Sequence, residues 1–201
     1  MEAGTIVDQR FQIAALAGSG GMGAVYRADE LGTGKTVAIK IMHSNGPTEH
    51  ARFLREAHVL TKLSHPAIVA CLGHGALPSG EPWIAMEWLE GETLADKLER
   101  GPLAPAETLV IVRAIAGALE TAHAHGVVHR DIKPGNIILE AGEPARAHLI
   151  DFGVARLRSA HSFTEFGTVL GTPAYMAPEQ IRGASEADER ADLYALGVIL
   201  F

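Results

Sequence analysis

Gly18-Ser19-Gly20-Gly21-Met22-Gly23 runs straight into Ala24-Val25-Tyr26-Arg27, and that junction decides the fold. A G-x-G-x-x-G spacing belongs to a dinucleotide site when a helix opens inside it, so that the helix N-terminus faces the pyrophosphate. Here the residues after the last glycine alternate around Val25 and Arg27, the period of a strand, and lead into Leu31-Gly32-Thr33-Gly34-Lys35, a hairpin turn by composition. A glycine loop between two antiparallel strands is a flap whose bare backbone N–H groups can lie over phosphates. Read alone, the same residues fit a plain flexible hairpin equally well.

Working outward, Arg10–Leu16, Ala24–Asp29 and Val37–Met42 read as strands. Gly32-Thr33-Gly34-Lys35-Thr36 resembles the end of a P-loop, but Asp29 stands where that motif requires its first glycine, and no helix follows. Lys35 therefore reads as a solvated turn residue. The spacing of Phe53, Ala57 and Leu60 predicts a helix over Thr48–Leu63 with Thr48 as its N-cap. Short strands are expected near Ile68–Leu72 and Trp83–Trp88. Pro105 opens a long helix with Leu109, Val112, Ala116, Leu119 and His123 along one side, ending at Gly126. Strands first and helices afterwards imply an α+β architecture of two lobes, residues 1–86 and 87–201, with the boundary near Met86–Gly91.

A chain of 201 residues with net charge −7 offers no basic footprint for nucleic acid or an anionic membrane. Cys71 is the single cysteine, which excludes an internal disulfide and fits a reducing compartment. The N-terminus lacks a basic region followed by an apolar run, and Leu193–Phe201 falls well short of the ~20 apolar residues that span a bilayer. The expected setting is cytoplasmic. The ten histidines show no zinc spacing.

Val37-Ala38-Ile39-Lys40, His129-Arg130-Asp131-Ile132-Lys133-Pro134-Gly135-Asn136, Asp151-Phe152-Gly153 and Ala177-Pro178-Glu179 follow the glycine loop in fixed order. Together they resemble the signature set of the protein kinases. The wording of the glycine loop and of Gly171-Thr172-Pro173-Ala174-Tyr175-Met176-Ala177-Pro178-Glu179 is similar to the bacterial branch of eukaryotic-type serine/threonine kinases, from about Phe11 to Phe201. The resemblance implies a two-lobe kinase-like fold: a small antiparallel β N-lobe with one helix, and a helical C-lobe lacking its last helices. It also implies transfer of the γ-phosphoryl group of ATP, with Mg²⁺, to Ser/Thr hydroxyls of protein substrates.

Phosphoryl transfer needs positioning and charge neutralisation more than covalent chemistry, and the resemblance assigns residues accordingly. Gly18, Ser19, Gly20, Gly21, Met22 and Gly23 would cover the phosphates. Lys40 would hold the α- and β-phosphates, fixed in turn by Glu56. Asp131 would be the base or orienter for the substrate hydroxyl, and Lys133 would reach the γ-phosphate. Asn136 and Asp151 offer oxygen ligands to Mg²⁺, a hard cation for which two protein ligands plus phosphates suffice. Val25 and Ala38 match the roof of the adenine pocket and Ile138 its floor. Met86 matches the gatekeeper, and Glu87 to Leu89 the hinge that hydrogen-bonds the adenine. Ala17 departs from the family, which usually carries Leu, Ile or Val there.

Arg130 would meet an activation-loop phosphate, with Thr164 and Thr168 as the expected acceptors among Ser159, Ser162, Thr164, Thr168 and Thr172, and Thr172 positioning the substrate. Cys71 aligns with a hydrophobic stack that also holds Leu60, His129 and Phe152, the place of a buried, inert thiol. Leu193–Phe201 resembles the start of a helix normally covered on all sides, and uncovered it would favour self-association. The rival to an enzyme is a nucleotide-binding regulatory module without turnover.

Overall fold

The computed structural model describes residues 1–20, 23–43, 47–152, 173–182 and 187–201. They fall into two compact units, Met1–Leu63 with Ala70–Trp88, and Ser64–Val69 with Leu89–Phe201.

The first unit is an antiparallel sheet in the order β1-β2-β3-β4-β6-β5, with β1 Ile6–Val7, β2 Phe11–Gly20, β3 Gly23–Glu30, β4 Thr36–Met42, β5 Cys71–Ala76 and β6 Pro82–Glu87. Period-2 alternation sorts its side chains. Val37 and Ile39 of β4 join Val7, Phe11, Ile13, Tyr26, Ala28, Trp83 and Ala85 in a buried cluster, with Phe11 set edge-on to Trp83. Ala38 and Lys40 consequently lie on the opposite face, opposite Met86 and Ile84 of β6. The turn after β3 closes with Glu30 N–H on Lys35 O, and Lys35 is exposed. Helix α1, Pro47–Leu60, packs along β5 and β6, burying Phe53, Ala57 and Leu60.

The boundaries of α1 and β5 differ from expectation. Pro47 opens α1, so Thr48 lies inside the helix and is not its cap; proline at the first helical position presets φ and sacrifices no hydrogen bond. The helix also stops at Leu60, where Lys62 and Leu63 turn back onto Val59 and Leu60. The strand expected over Ile68–Leu72 begins only at Cys71. Ile68 instead bridges Leu149, whose N–H donates to Ala67 O and whose carbonyl accepts from Val69 N–H, so this backbone is committed to the second unit.

In the second unit, β7 Gly91–Thr93, β8 Ile137–Glu140 and β9 Ala147–Leu149 form a small antiparallel sheet in that order. Helix α2, Leu94–Glu99, starts on a capping box in which Thr93 and Asp96 each satisfy the other's backbone N–H. Helix α3, Pro105–Ala124, packs against β9 and against α5, Glu189–Leu200; the short α4, Pro178–Ile181, lies before α5. The side of α3 that is buried carries Ile111, Ile115, Ala118, Leu119 and Ala122, whereas Leu109 is exposed. This helix is apolar almost all round, so periodicity alone could not select its inner face. On α5, Ala191, Asp192, Ala195 and Leu196 are buried while Leu193, Tyr194 and Leu200 face outward. Among the described residues no helix is long and apolar enough to cross a membrane.

Candidate functional site

In the first unit Gly18, Ser19 and Gly20 end β2, and Gly23 and Val25 open β3; Gly21 and Met22 lie outside the described residues. The glycines differ in why they are glycine. Gly23 has φ +143°, and a Cβ there would run into the carbonyl of Ile41 on β4, so packing demands it. A Cβ at Gly18 or Gly20 would meet nothing within 4 Å. Packing gives no reason for those two, and what their absence of side chains provides is bare backbone. Val25 pairs with Lys40 across β3 and β4, and Ala38 with Met86 across β4 and β6. Ala38 and Met86 are buried, Lys40 half-buried, and Glu56 half-buried on α1. Glu87 N–H is taken by Ala70 O, and Ala17 is exposed on β2. Burial pushes the Cys71 thiol up, leaving it protonated at neutral pH.

In the second unit the loop between α3 and β8 is held by side chains from several elements. Arg130 has φ +63°, a left-handed conformation for a residue that bears a Cβ. Its N–H donates to Asp192 Oδ1 at 2.6 Å, and His129 N–H donates to Asp192 Oδ2 at 2.8 Å. His123 Nε2 of α3 is 2.9 Å from the same Oδ2. Asp131 N–H donates to His129 Nδ1 at 3.2 Å, so the imidazole proton must sit on Nε2, which donates to Ile150 O at 2.9 Å. Burial pushes His129 below the ordinary histidine value, which keeps it in this neutral form.

The Asp131 carboxylate accepts from two neighbours through Oδ2: Lys133 Nζ at 2.9 Å and Asn136 Nδ2 at 3.0 Å. Asn136 Nδ2 also donates to Asp131 O at 2.8 Å, so its amide nitrogen is committed and Oδ1 is the atom left for a cation. A 3-10 turn, Pro134–Asn136, sets this geometry, and Ile150 N–H closes it on Asn136 O. Ile138 stands partly exposed on β8. Asp151 follows with φ +60°, and the Phe152 ring lies 4.9 Å from that of His129. Asp131, Lys133, Asn136 and the backbone around Asp151 are thus brought together. Arg130 Nε reaches Ala187 O at 3.3 Å. Ser159, Ser162, Thr164, Thr168 and Thr172 lie outside the described residues.

Three residues escaped the sequence reading. Asp192 precedes the apolar run Leu193–Phe201, and its one signal is a lone carboxylate within Ala191–Leu196, otherwise nearly all apolar. His123 was placed on a helix face without a partner. Gln180, just past the Ala177-Pro178-Glu179 motif, carried no signal of its own.

The fold and this loop define a protein kinase. The family model described as "Protein kinase domain" matches residues 11–201, and the chain belongs to that family. It is 40% identical over 206 residues to the serine/threonine-protein kinase pkn2 of Myxococcus xanthus, covering 98% of this chain and 24% of that protein. Among solved structures, the PknI kinase domain of Mycobacterium tuberculosis superposes with TM-score 0.79 at 30% identity, covering all of this chain and 75% of that one. Rad53 in complex with AMP-PNP superposes with TM-score 0.76 at 32% identity, over 95% of this chain and 47% of that one. The chain spans between about a quarter and two fifths of the length of the curated relatives pkn2, pkn3 and RqkA.

Proposed function

We propose that this chain transfers the γ-phosphoryl group of ATP to Ser/Thr hydroxyls of proteins, with Asp131 acting on the hydroxyl. The observation that carries the reading is the Asp131 carboxylate, pinned by Lys133 and Asn136 on a loop held rigid from beneath. A carboxylate fixed in this way can orient a hydroxyl and receive its proton as the oxygen attacks phosphorus. Lys133, beside it, balances charge on the transferring phosphoryl group. In the first unit, the bare backbone of Gly18 and Gly20, with Ser19, Gly21, Met22 and Gly23, covers the phosphates, and Lys40, steadied by Glu56, holds the α- and β-phosphates. Also in the first unit, Val25, Ala38 and Met86 contact the adenine, and Glu87 gives it a backbone hydrogen bond. Bound AMP-PNP in Rad53 supports a nucleotide role for a chain of this fold.

Asn136 Oδ1 and the Asp151 carboxylate are the oxygen donors that fit Mg²⁺, which is content with one or two protein oxygens when phosphates supply the rest. Among the described residues no group of three or more His, Cys, Asp or Glu is placed to hold a metal. Held by these two oxygens, Mg²⁺ would supply neutralisation of the phosphate charge. Arg130 is the proposed partner of activating phosphates on the loop threonines Thr164 and Thr168. ATP as substrate and a single cysteine, Cys71, fit a cytoplasmic setting.

The test is Asp131→Asn. Radiolabelled phosphate incorporation into an acceptor protein and into the chain itself should vanish, while nucleotide affinity measured by calorimetry stays within about twofold. A tenfold loss of ATP affinity, or persisting transfer, would contradict the assignment. ATP binding by the wild type with no transfer would favour a regulatory module.

A further inference from the structure

The peptide group joining Arg130 to Asp131 sets the direction of the Asp131 side chain, because it carries the Asp131 Cα. Its N–H end is taken by His129 Nδ1 at 3.2 Å. Its carbonyl end, Arg130 O, accepts from Gln180 Nε2 at 3.0 Å. Gln180 reaches this loop from α4, 50 residues away in sequence, and its other amide atom is also committed: Oε1 accepts from Ala177 N–H at 3.0 Å.

The two partners fix which way the amide faces. A backbone N–H can only donate and a carbonyl can only accept, so Oε1 must meet Ala177 and Nε2 must meet Arg130. This separates glutamine from glutamate. Either residue satisfies the N-cap position of a helix opening at Pro178, and a carboxylate there is ordinary. Only the amide can also donate to Arg130 O; a carboxylate would set a negative oxygen against a carbonyl.

We infer that Gln180 is a positioning residue for phosphoryl transfer: through Arg130 O it locks the peptide plane that aims the Asp131 carboxylate, and so ties the seating of α4 to the catalytic loop. Arg130 adds a reason for the lock. Its left-handed φ of +63° is costly for a residue with a side chain, and such a conformation persists only where the surroundings hold it. Asp192 holds the peptide before Arg130, and Gln180 with His129 holds the peptide after it. Gln180 lines the same hollow as Arg130, Asp131, Lys133, Tyr175 and Asp192, so its loss is felt where the carboxylate sits.

The inference rests on the transfer reading above, and the experiment separates the two. Gln180→Glu keeps the bond to Ala177 and removes the donor to Arg130; Gln180→Met removes both. Each variant and the wild type are assayed for kcat and for KM of ATP with dephosphorylated casein as acceptor. Amide hydrogen exchange is followed in peptides covering His129–Lys133. Gln180→Glu should lower kcat about tenfold, the scale of one buried hydrogen bond lost from the transition state, and leave KM for ATP within about twofold. Exchange over His129–Lys133 should quicken in both variants, while that of β2–β4 in the first unit stays unchanged. A role confined to capping α4 would leave Gln180→Glu like the wild type in both readouts, and that result overturns the inference. If the wild type transfers no phosphate, the transfer reading fails, and unchanged exchange in Gln180→Glu would still refute the lock.

Discussion

Asp192→Asn should cost the second unit more stability than its one-atom change suggests. The carboxylate is fully buried and accepts from His129 N–H, Arg130 N–H and His123 Nε2 at 2.8, 2.6 and 2.9 Å. An asparagine has one oxygen to offer. Turned toward His129 and His123, it sets its own NH₂ against the Arg130 N–H; turned the other way, it strands two donors. The better orientation still loses one charge-assisted bond and leaves a buried N–H unpaired, about 2–4 kcal/mol together. A domain is stable by about 5–15 kcal/mol, so this is a large share. With a urea slope near ~2 kcal/mol/M the unfolding midpoint should fall by about 1–2 M. Both tryptophans, Trp83 and Trp88, lie in the first unit, so their fluorescence is the wrong probe. Helical circular dichroism follows the second unit better, since α3 and α5 bring 20 and 12 residues to it against the 14 of α1, and amide exchange at Arg130 is the local readout. A midpoint within about 0.3 M of the wild type, with unchanged protection at Arg130, would refute the argued role of Asp192.

The remaining predictions concern packing and pH. Gly91→Ala should cost about 1–3 kcal/mol in a urea titration, because its Cβ would meet the backbone of Leu139 and Glu140 and push β7 from β8. Gly18→Ala, with open space around the new Cβ, should change stability by under about 0.5 kcal/mol, and a larger loss would contradict the open geometry. Burial lowers the pKa of His129, and burial followed by the charge of His58 lowers that of His74. Both groups therefore bind protons less readily folded than unfolded, so unfolding takes protons up as the pH falls through their titration range. Their contribution is complete above the unfolded value of about 6.5 and is lost as pH falls from there toward the folded values, by up to ~1.4 kcal/mol per pH unit for the fully buried His129 and by less for His74, which solvent screens. Urea midpoints that stay flat between pH 7.5 and 5.5 would show this to be wrong; the lowered carboxylates, such as Glu30 and Glu92, act only at lower pH.

Much of the architecture was legible because its signals are local. The glycine loop ran into a strand, a turn composition closed the β3–β4 hairpin, and Pro105 and Gly126 bounded α3. What the sequence concealed were choices made by tertiary contact. The strand assigned to Ile68–Leu72 looked β-like, but Ala67–Val69 give their hydrogen bonds to Leu149, a partner that no local window contains. The inner face of α3 was ambiguous because apolar residues surround the helix. The end of α1 was set by a turn at Thr61–Leu63 with no glycine to announce it. At the site, Asp131, Lys133 and Asn136 were legible because the chemistry that joins them lies within a few residues. Asp192 and Gln180 were not, since each acts on backbone atoms 50 to 63 residues distant; the lone carboxylate of Asp192 stands out in an apolar stretch, but nothing near it in sequence names its partners.

That division has a physical cause. A loop that must hold a carboxylate in one direction cannot rely on its own backbone preferences, because the required conformation is strained: Arg130 and Asp151 both sit at positive φ, +63° and +60°. Each such residue costs of order ~1–3 kcal/mol, so the loop alone would relax into other shapes. The restoring bonds come from elements already stabilised by their own burial. Asp192 is carried on α5, whose Ala191, Ala195 and Leu196 are buried, and His123 on α3 with its apolar stripe. The loop therefore reaches its working geometry only once α3 and α5 have packed, and its precision is inherited from their core. A substitution that loosens the α3–α5 contact without touching the loop should thus blunt Asp131 before it unfolds the unit, a dependence that motifs read along the chain could not reveal.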